Sequence, residues 1–469
     1  MNRNLFTLCV SLVLLAGCAP KKEVYSQPPP SPAAPAWHTG LPSDQKASDG
    51  APAAADLKWD AFFLDDKLRQ VVKLALDNNR DLRIAALNVE KAQAQVRLAR
   101  ARQFPTVNAG ASADTYRVRT DMTKDGKGYT YETMTVGVQV SSWEADLFGR
   151  IRSLKQQALE QYLATAQGRV STQMSLIASV AAAYLALGAD HDSLRLSQAT
   201  LDAQKATYDL VSHTREFGIK SDLDVSEALS QVQAAEVDVV KYTSLITLDE
   251  NALNLLVGAE VPETLLPSEL GSDRALKDVS AGLPSDVLLR RPDIVAAEHQ
   301  LKAAYANISA ARAAFFPTIV LTGGGGITSS ALSRLFSPRA ATWTFAPQIT
   351  LPIFDAGTRK AEYRLSQLDR DTAVAQYEQA IQMAFREVSD SLNQRTRVLE
   401  EQTAQQALVD TLSQTYRLTE ARYQAGVDNY LNVLVAQRSL YAAQQAIVNI
   451  RLNRLSALVT LYKALGGGA

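Results

Sequence analysis

Between Glu144 and Phe217 the apolar positions step by three and four. Ile177, Val180, Tyr184, Leu187, Leu194, Leu201 and Tyr208 share one track with His191, Gln198 and Lys205. That is a seam of 3.5-residue period, of the kind that joins helices in coiled coils, diluted by polar positions. The stretch holds no proline, so a single helix is expected over 144–217, about 110 Å long at 1.5 Å per residue. A second stretch, 355–424, has the same size and character. Helices this long need other helices beside them, because one apolar stripe cannot be buried alone.

Shorter elements flank each long helix. A helix is expected from Asp65 to Phe104, where Phe104-Pro105 ends it, since a proline disfavours helix at the preceding residue. From Thr106 the period changes to two. Val107, Ala109, Ala111 and Ala113 alternate with Asn108, Gly110, Ser112 and Asp114, and after a polar loop Met134, Val136, Val138 and Val140 alternate with Thr133, Thr135, Gly137 and Gln139. This predicts a β-hairpin over 106–141. Strands of about ten residues suit a membrane β-barrel as well as a small soluble hairpin. Gly218 is placed to end the first long helix, and Ser221 or Asp222 to open a return helix over 219–257.

The plan then repeats. Phe316-Pro317-Thr318 echoes Phe104-Pro105-Thr106, a second hairpin is expected over 318–353, and Asp355-Ala356-Gly357 opens the second long helix as Asp146-Leu147-Phe148-Gly149 stands at the first. In the last strand Trp343, Phe345, Ile349, Leu351 and Ile353 face one way and Thr344, Ala346, Gln348 and Thr350 the other. Ala425-Gly426 matches Phe217-Gly218, and a return helix is expected over 427–465. The chain thus divides into a first repeat, 56–258, a linker, 259–284, and a second repeat, 285–469. Duplication at this period is too long for a solenoid and points to a pseudo-symmetric body. Gly323–Gly326 is not followed by Gly-Lys-Ser/Thr, so it reads as a glycine-rich strand or turn rather than a phosphate loop.

The N-terminus carries a different signal. Residues 1–17 combine Arg3, the apolar run Leu5–Leu15 and small residues before Cys18, the layout of a secretory signal too short to span a bilayer. Leu15-Ala16-Gly17-Cys18 resembles a lipobox, which implies cleavage before Cys18 and its acylation; Ala19 favours the outer membrane. Residues 18–55 are rich in Pro, Ala and Ser and read as an extended tether. Cys9 lies within the signal, so one cysteine remains and no intrachain disulfide is available. A net charge of −1 argues against a nucleic-acid partner. His38, His191, His213 and His299 lack metal-ligand spacing, and no nucleophile, base and orienting group can be assembled into a catalytic site. No metal, cofactor or enzymatic activity is expected beyond a covalent lipid. No apolar run approaches 20 residues, so no membrane helix is expected.

The segment Gly282-Leu283-Pro284-Ser285-Asp286-Val287-Leu288-Leu289-Arg290-Arg291-Pro292-Asp293-Ile294, continuing to Ala297-Glu298, resembles the signature of the TolC/OprM-like outer-membrane factors of tripartite efflux pumps. Arg422-Tyr423-Gln424-Ala425-Gly426-Val427-Asp428-Asn429-Tyr430 and the terminal Leu461-Tyr462-Lys463-Ala464-Leu465-Gly466-Gly467-Gly468 match as well. The resemblance implies a mostly α fold with a β-barrel part. Three protomers would each give four strands to one twelve-stranded outer-membrane barrel, continued by a periplasmic α-helical barrel. It implies a homotrimer in outer-membrane lipid, lipid-anchored, with a long periplasmic part. The partners implied are a periplasmic adaptor and an inner-membrane pump of the RND class. The function implied is a passive exit duct for drugs and other small toxic compounds. The alternative is a channel for type I protein secretion or metal-cation efflux, and a structural coiled-coil lipoprotein without a pore is a further class.

The resemblance also places a constriction at the two interhelical turns. Asn432 and Val435 stand where related chains often carry acids, which weakens the case for strong cation selectivity. The gate is therefore expected to rest on packing of Tyr423 and on an acidic collar from Asp428 and Asp224, which as plain helix caps would do neither.

Overall fold

The computed structural model describes residues 54–122, 124, 126–271, 275–279 and 290–468, with Tyr25, Pro29, Pro32 and Trp37. The signal segment, Cys18, most of the tether and residues 280–289 lie outside the described residues. The chain divides into two compact units, one of Met1–Pro30, Val89–Thr165 and Ala297–Tyr377, the other of Ser31–Asn88, Ala166–Ala296 and Glu378–Ala469.

In chain order the main elements are α1 (Asp66–Asn78), α2 (Arg80–Ala101), β1 (Val107–Val118), β2 (Tyr129–Glu144), α3 (Arg150–Glu216) and α4 (Asp222–Val257). There follow α5 (Pro292–Ala313), β3 (Thr318–Ser329), β4 (Ala341–Thr350), α6 (Thr358–Gln424) and α7 (Tyr430–Ala464). Helices α3 and α6 have 67 residues each, about 100 Å of helix. The fold is mostly helical, with one four-stranded antiparallel sheet.

The single helix expected from Asp65 to Phe104 is two helices. Asn79, buried and extended in backbone (φ −60°, ψ 132°), ends α1 and opens α2. Its N–H donates to the Ala75 carbonyl at 2.8 Å, and its Oδ1 accepts from the Leu82 N–H at 2.8 Å. Its Nδ2 donates to the Leu256 carbonyl at 2.8 Å, near the end of α4. The apolar track breaks at this corner, where Asp77-Asn78-Asn79-Arg80-Asp81 separate Leu76 from Leu82. Gly258 (φ +77°) lies against the corner, where a Cβ would stand 2.6 Å from the Asn78 carbonyl oxygen.

The core of the second unit joins distant segments. Phe62 stacks on Tyr462 with ring centroids 3.9 Å apart, and the Tyr462 hydroxyl donates to the Leu57 carbonyl at 2.5 Å. Leu64 and Lys277 donate backbone N–H groups to Ala275 and Phe62, each at 2.9 Å, so the linker pairs with the start of the body. Arg291 is buried. Its guanidinium donates to Asp293 at 2.6 and 3.0 Å, to Glu387 at 2.8 Å and to the Ala464 carbonyl at 2.8 Å, tying the start of α5 to α6 and the end of α7. A buried cation requires such partners, because an unpaired one costs several kcal/mol.

On α3 the expected seam holds from Ile177 through Val180 and Tyr184 to Leu187, all buried. Beyond Ala189 the buried positions are Ser193, Ser197, Gln204 and Val211, while Leu194, Leu201 and Tyr208 are only half-buried. Ser193 and Ser197 donate back to the Ala189 and Ser193 carbonyls at 2.9 Å each, whereas the buried Gln204 Oε1 has no hydrogen-bond partner among the described residues. Ser197 Oγ lies 2.9 Å from the Tyr441 hydroxyl, which donates to Asp238 at 2.9 Å, so α3, α4 and α7 meet in one network. Helix α3 also contains a window apolar enough by composition to cross a membrane, contrary to expectation. Leu176, Ile177, Val180, Ala181, Tyr184 and Leu187 of this helix lie in the packed core.

Asp190 and Asp249 stand at equal sequence distances on either side of the α3–α4 turn and hydrogen-bond to one another. Burial, then the facing Asp249 carboxyl, pushes Asp190 up to about 6. An acid whose proton is held more tightly in the folded state stabilises fully below its unfolded value, about pH 4. That contribution is lost as pH rises through about 6. The Asp249→Asn variant is expected to melt about 2 °C above the unsubstituted protein at pH 7.5. The gap should close by pH 4.5; thermal melts across this range check it, and a gap independent of pH would contradict the shared proton.

Candidate functional site: an amphipathic sheet and two helical tips

The sheet runs β1-β2-β3-β4, every neighbouring pair antiparallel. The hairpin of the first repeat and that of the second join through β2 and β3. The outer edges of β1 and β4 have no strand partner among the described residues. Register sorts the side chains cleanly. One face carries Val107, Ala109 and Ala111, then Val136, Val138 and Val140, then Ile319, Leu321 and Ile327, then Trp343, Phe345 and Ile349. The opposite face carries Asn108, Ser112, Thr135, Gln139, Thr322, Thr328, Thr342, Thr344 and Gln348. Trp343 is 78 % exposed and Ile349 68 %, too much apolar surface for a sheet that faces water.

Glycines hold the two hairpins close. Gly137 and Gly326 are register partners on the polar face; a Cβ on Gly326 would stand 2.3 Å from the Val136 carbonyl oxygen and 2.6 Å from the Gly137 Cα. Thr135 and Thr328 hydroxyls meet across the same junction at 3.3 Å. Gly323–Gly326 is thus strand, as its sequence suggests. Each strand-to-helix passage is capped by an aspartate. Asp146 accepts from the Ile151 and Arg152 N–H groups at 3.2 and 2.9 Å, and Asp355 from those of Gly357 and Arg359 at 3.1 and 3.2 Å.

The two helical tips share one design. Gly218 (φ +71°) and Gly426 (φ +74°) take the left-handed conformation that ends α3 and α6. Ile219 and Val427 donate back to the carbonyls of Thr214 and Arg422 at 3.2 and 3.0 Å. Ser221 and Asp224 form a reciprocal capping box at the start of α4, and Asn429 accepts from the Asn432 N–H at 3.3 Å at the start of α7. The tips pack on a cluster of Val211, Ala228, Tyr430, Val433 and Leu434, with Tyr423 against it. The Tyr423 ring lies 5.4 Å from that of Tyr430, and Lys220 Nζ sits 4.5 Å above it.

Both carboxylates expected in an acidic collar are engaged. Arg422 donates to Asp428 at 2.6 and 3.2 Å, and holds its carboxyl below the usual carboxylate range. The Ser221 backbone N–H and hydroxyl, each 2.8 Å from the Asp224 carboxylate, lower Asp224 in the same way. Asp224 also offsets the positive end of α4. Arg215 pairs with Asp222 at 2.7 Å at the same tip as Asp224. Lys220, Arg215 and Arg422 were missed from sequence, although an arginine before the turn glycine and an aspartate after it recur in both repeats. Cys18 lies outside the described residues. His299 lies 2.7 Å from Glu160 in a partly buried pair that packs the helices of the first unit.

The family model described as outer membrane efflux protein matches residues 71–259 and 283–467. The probable efflux pump outer membrane protein TtgC of Pseudomonas putida is 45% identical over 100% of this chain and 96% of its own. Among solved structures, a membrane protein from Pseudomonas aeruginosa is 38% identical with a TM-score of 0.89, covering 96% of this chain and 97% of its own. The open-state MtrE outer membrane channel of Neisseria gonorrhoeae is 36% identical with a TM-score of 0.86, covering 95% and 97%. The chain belongs to the outer membrane efflux protein family. It is an outer-membrane channel component of an efflux pump, the class its relatives share.

The glycine junction gives a direct check. Gly326→Ala should reduce the folded, heat-modifiable form on semi-native electrophoresis severalfold. Gly325→Ala should leave it intact, since its Cβ would meet nothing nearer than 3.9 Å.

Proposed function

We propose that three copies of this chain close one twelve-stranded barrel in the outer membrane and together form the passive exit duct of an RND-type pump. The observation that carries this reading is the four-stranded sheet, apolar on one face and polar on the other, with both edges open. In lipid, an unpaired strand edge costs several kcal/mol for each unsatisfied group, so only a closed barrel is stable. The β2–β3 junction shows how the second strand of one hairpin pairs with the first strand of the next; β4 and the β1 of another copy can pair by the same rule. Two copies would give eight strands, an interior that side chains fill, whereas twelve leave a lumen. Exposed Val237, Val240, Leu248 and Leu255 of α4 form a stripe opposite its buried seam, suited to a neighbouring copy.

The barrel is anchored further by acyl groups on Cys18, and the long helices enclose a periplasmic tunnel. A periplasmic adaptor and an inner-membrane pump supply the energy, since the duct itself is passive. The cargo is drugs and other small apolar toxic compounds. Relatives in Pseudomonas putida carry the names of toluene, solvent and antibiotic efflux pumps. Export of secreted proteins or metal cations is the competing use of the same pore.

The tips form its gate. Tyr423, held between Lys220 and Tyr430, and the Arg422–Asp428 pair keep the tip hairpins packed, while Asp224 contributes charge near the turn. With Asp428 paired to Arg422, selectivity for cations is modest. In planar bilayers the acylated protein should form trimeric pores of low conductance, and Tyr423→Ala or Asp428→Ala should raise that conductance severalfold. A monomer in detergent without pores would overturn the barrel. Unchanged closure in both variants would overturn the gate alone.

A further inference from the structure

The tether has a described foothold on the body. The Tyr25 hydroxyl donates to Glu298 Oε1 at 3.0 Å, its ring meets Tyr305 edge-on with centroids 5.7 Å apart, and Lys302 Nζ lies 5.2 Å from its centroid. Glu298, Lys302 and Tyr305 fall at i, i+4 and i+7 on α5, one face of a helix. Lys302 also pairs with Glu298 at 2.9 Å, so the seat is organised before Tyr25 enters it. Twelve residues further on, Trp37 stacks on Phe385 at 5.2 Å. A proline-rich linker acting only as a spacer would need neither contact.

We propose that this face of α5 is a docking seat for Tyr25, which clamps the N-terminal tether and fixes the level at which its acylated end meets the membrane. The inference rests on the reading of Cys18 as the lipid anchor. Chain lengths support it. Tyr25 lies seven residues after Cys18, a reach of at most about 25 Å. From Glu298 to the end of α5 at Ala313 is about 22 Å of helix, and β3 begins five residues later. The docked anchor therefore reaches the end of α5, below the base of the sheet, only when nearly fully extended. With Tyr25 undocked the next foothold is Trp37, nineteen residues after Cys18, and the cysteine could range over roughly 60 Å. Docking thus converts a long leash into a short one, matched to the helical distance below the sheet.

Chymotrypsin cleavage of the full-length purified protein tests the seat, because Tyr25 is itself a cleavage site when accessible. Mass mapping of N-terminal fragments reports the rate, with a synthetic peptide of residues 19–40 as the unprotected reference. The expected result is strong protection of the Tyr25 site in the folded protein. Glu298→Gln and Tyr305→Ala, each verified as folded by circular dichroism, should raise cleavage more than tenfold. Cleavage of the unsubstituted protein as fast as the peptide, or protection unchanged in both variants, would overturn the proposal. The mass of the N-terminal peptide reports acylation separately. Protection without acyl mass would sink the anchor reading and leave the seat standing, whereas acyl mass without protection would sink the seat alone.

Discussion

A β-strand at the margin of a sheet leaves a row of N–H and C=O groups that require partners, and lipid supplies none. The arrangement of this chain follows from that constraint. Each repeat makes one hairpin, the two hairpins pair through β2 and β3, and β1 and β4 remain as mutually suited margins. Alternation puts Val, Ile, Trp and Phe on one face and Thr, Ser and Gln on the other, the division that separates hydrocarbon from water in a barrel wall. The glycines at the β2–β3 junction let the two hairpins approach without side chains between them. Duplication is useful here because one type of junction can be used again around a ring.

The helical parts are positioned by buried polar groups as much as by apolar packing. Asn79 turns the chain between α1 and α2 and holds the end of α4 with its remaining donor. Arg291 joins three helices through carboxylates and a helix-end carbonyl. Ser197, Tyr441 and Asp238 make a further cross-helix tie. Apolar contact is tolerant of small rotations and slides, whereas a buried polar group is satisfied in only one arrangement. Such ties set the register of helices that a repeating seam would leave free to shift.

At the tips the same economy of partners alters the electrostatics. Asp224 caps a helix and Asp428 faces an arginine. The acids at the two turns are therefore not free charges, and their field is weaker than their number suggests. What holds the tips together is a tyrosine cluster with a lysine on one ring. Tyr423 belongs to that cluster, with Lys220 of one tip and Tyr430 of the other against its ring.

Much of this was written in local sequence. The period-two runs gave the strands and their two faces, Gly218 and Gly426 gave the turns, and matching landmarks gave the duplication, because each depends on the conformations of a few adjacent residues. Other features depended on residues brought together from afar. The corner at Asn79 needs the Leu256 carbonyl, and the burial of Ser197 on α3 is matched by the Tyr441 hydroxyl of α7, itself held by Asp238 of α4. The pairing of Asp428 with Arg422 crosses a turn whose geometry had to form first. Backbone periodicity is fixed by short-range sterics and the hydrophobic pattern. Which polar group meets which is decided only when the helices have packed.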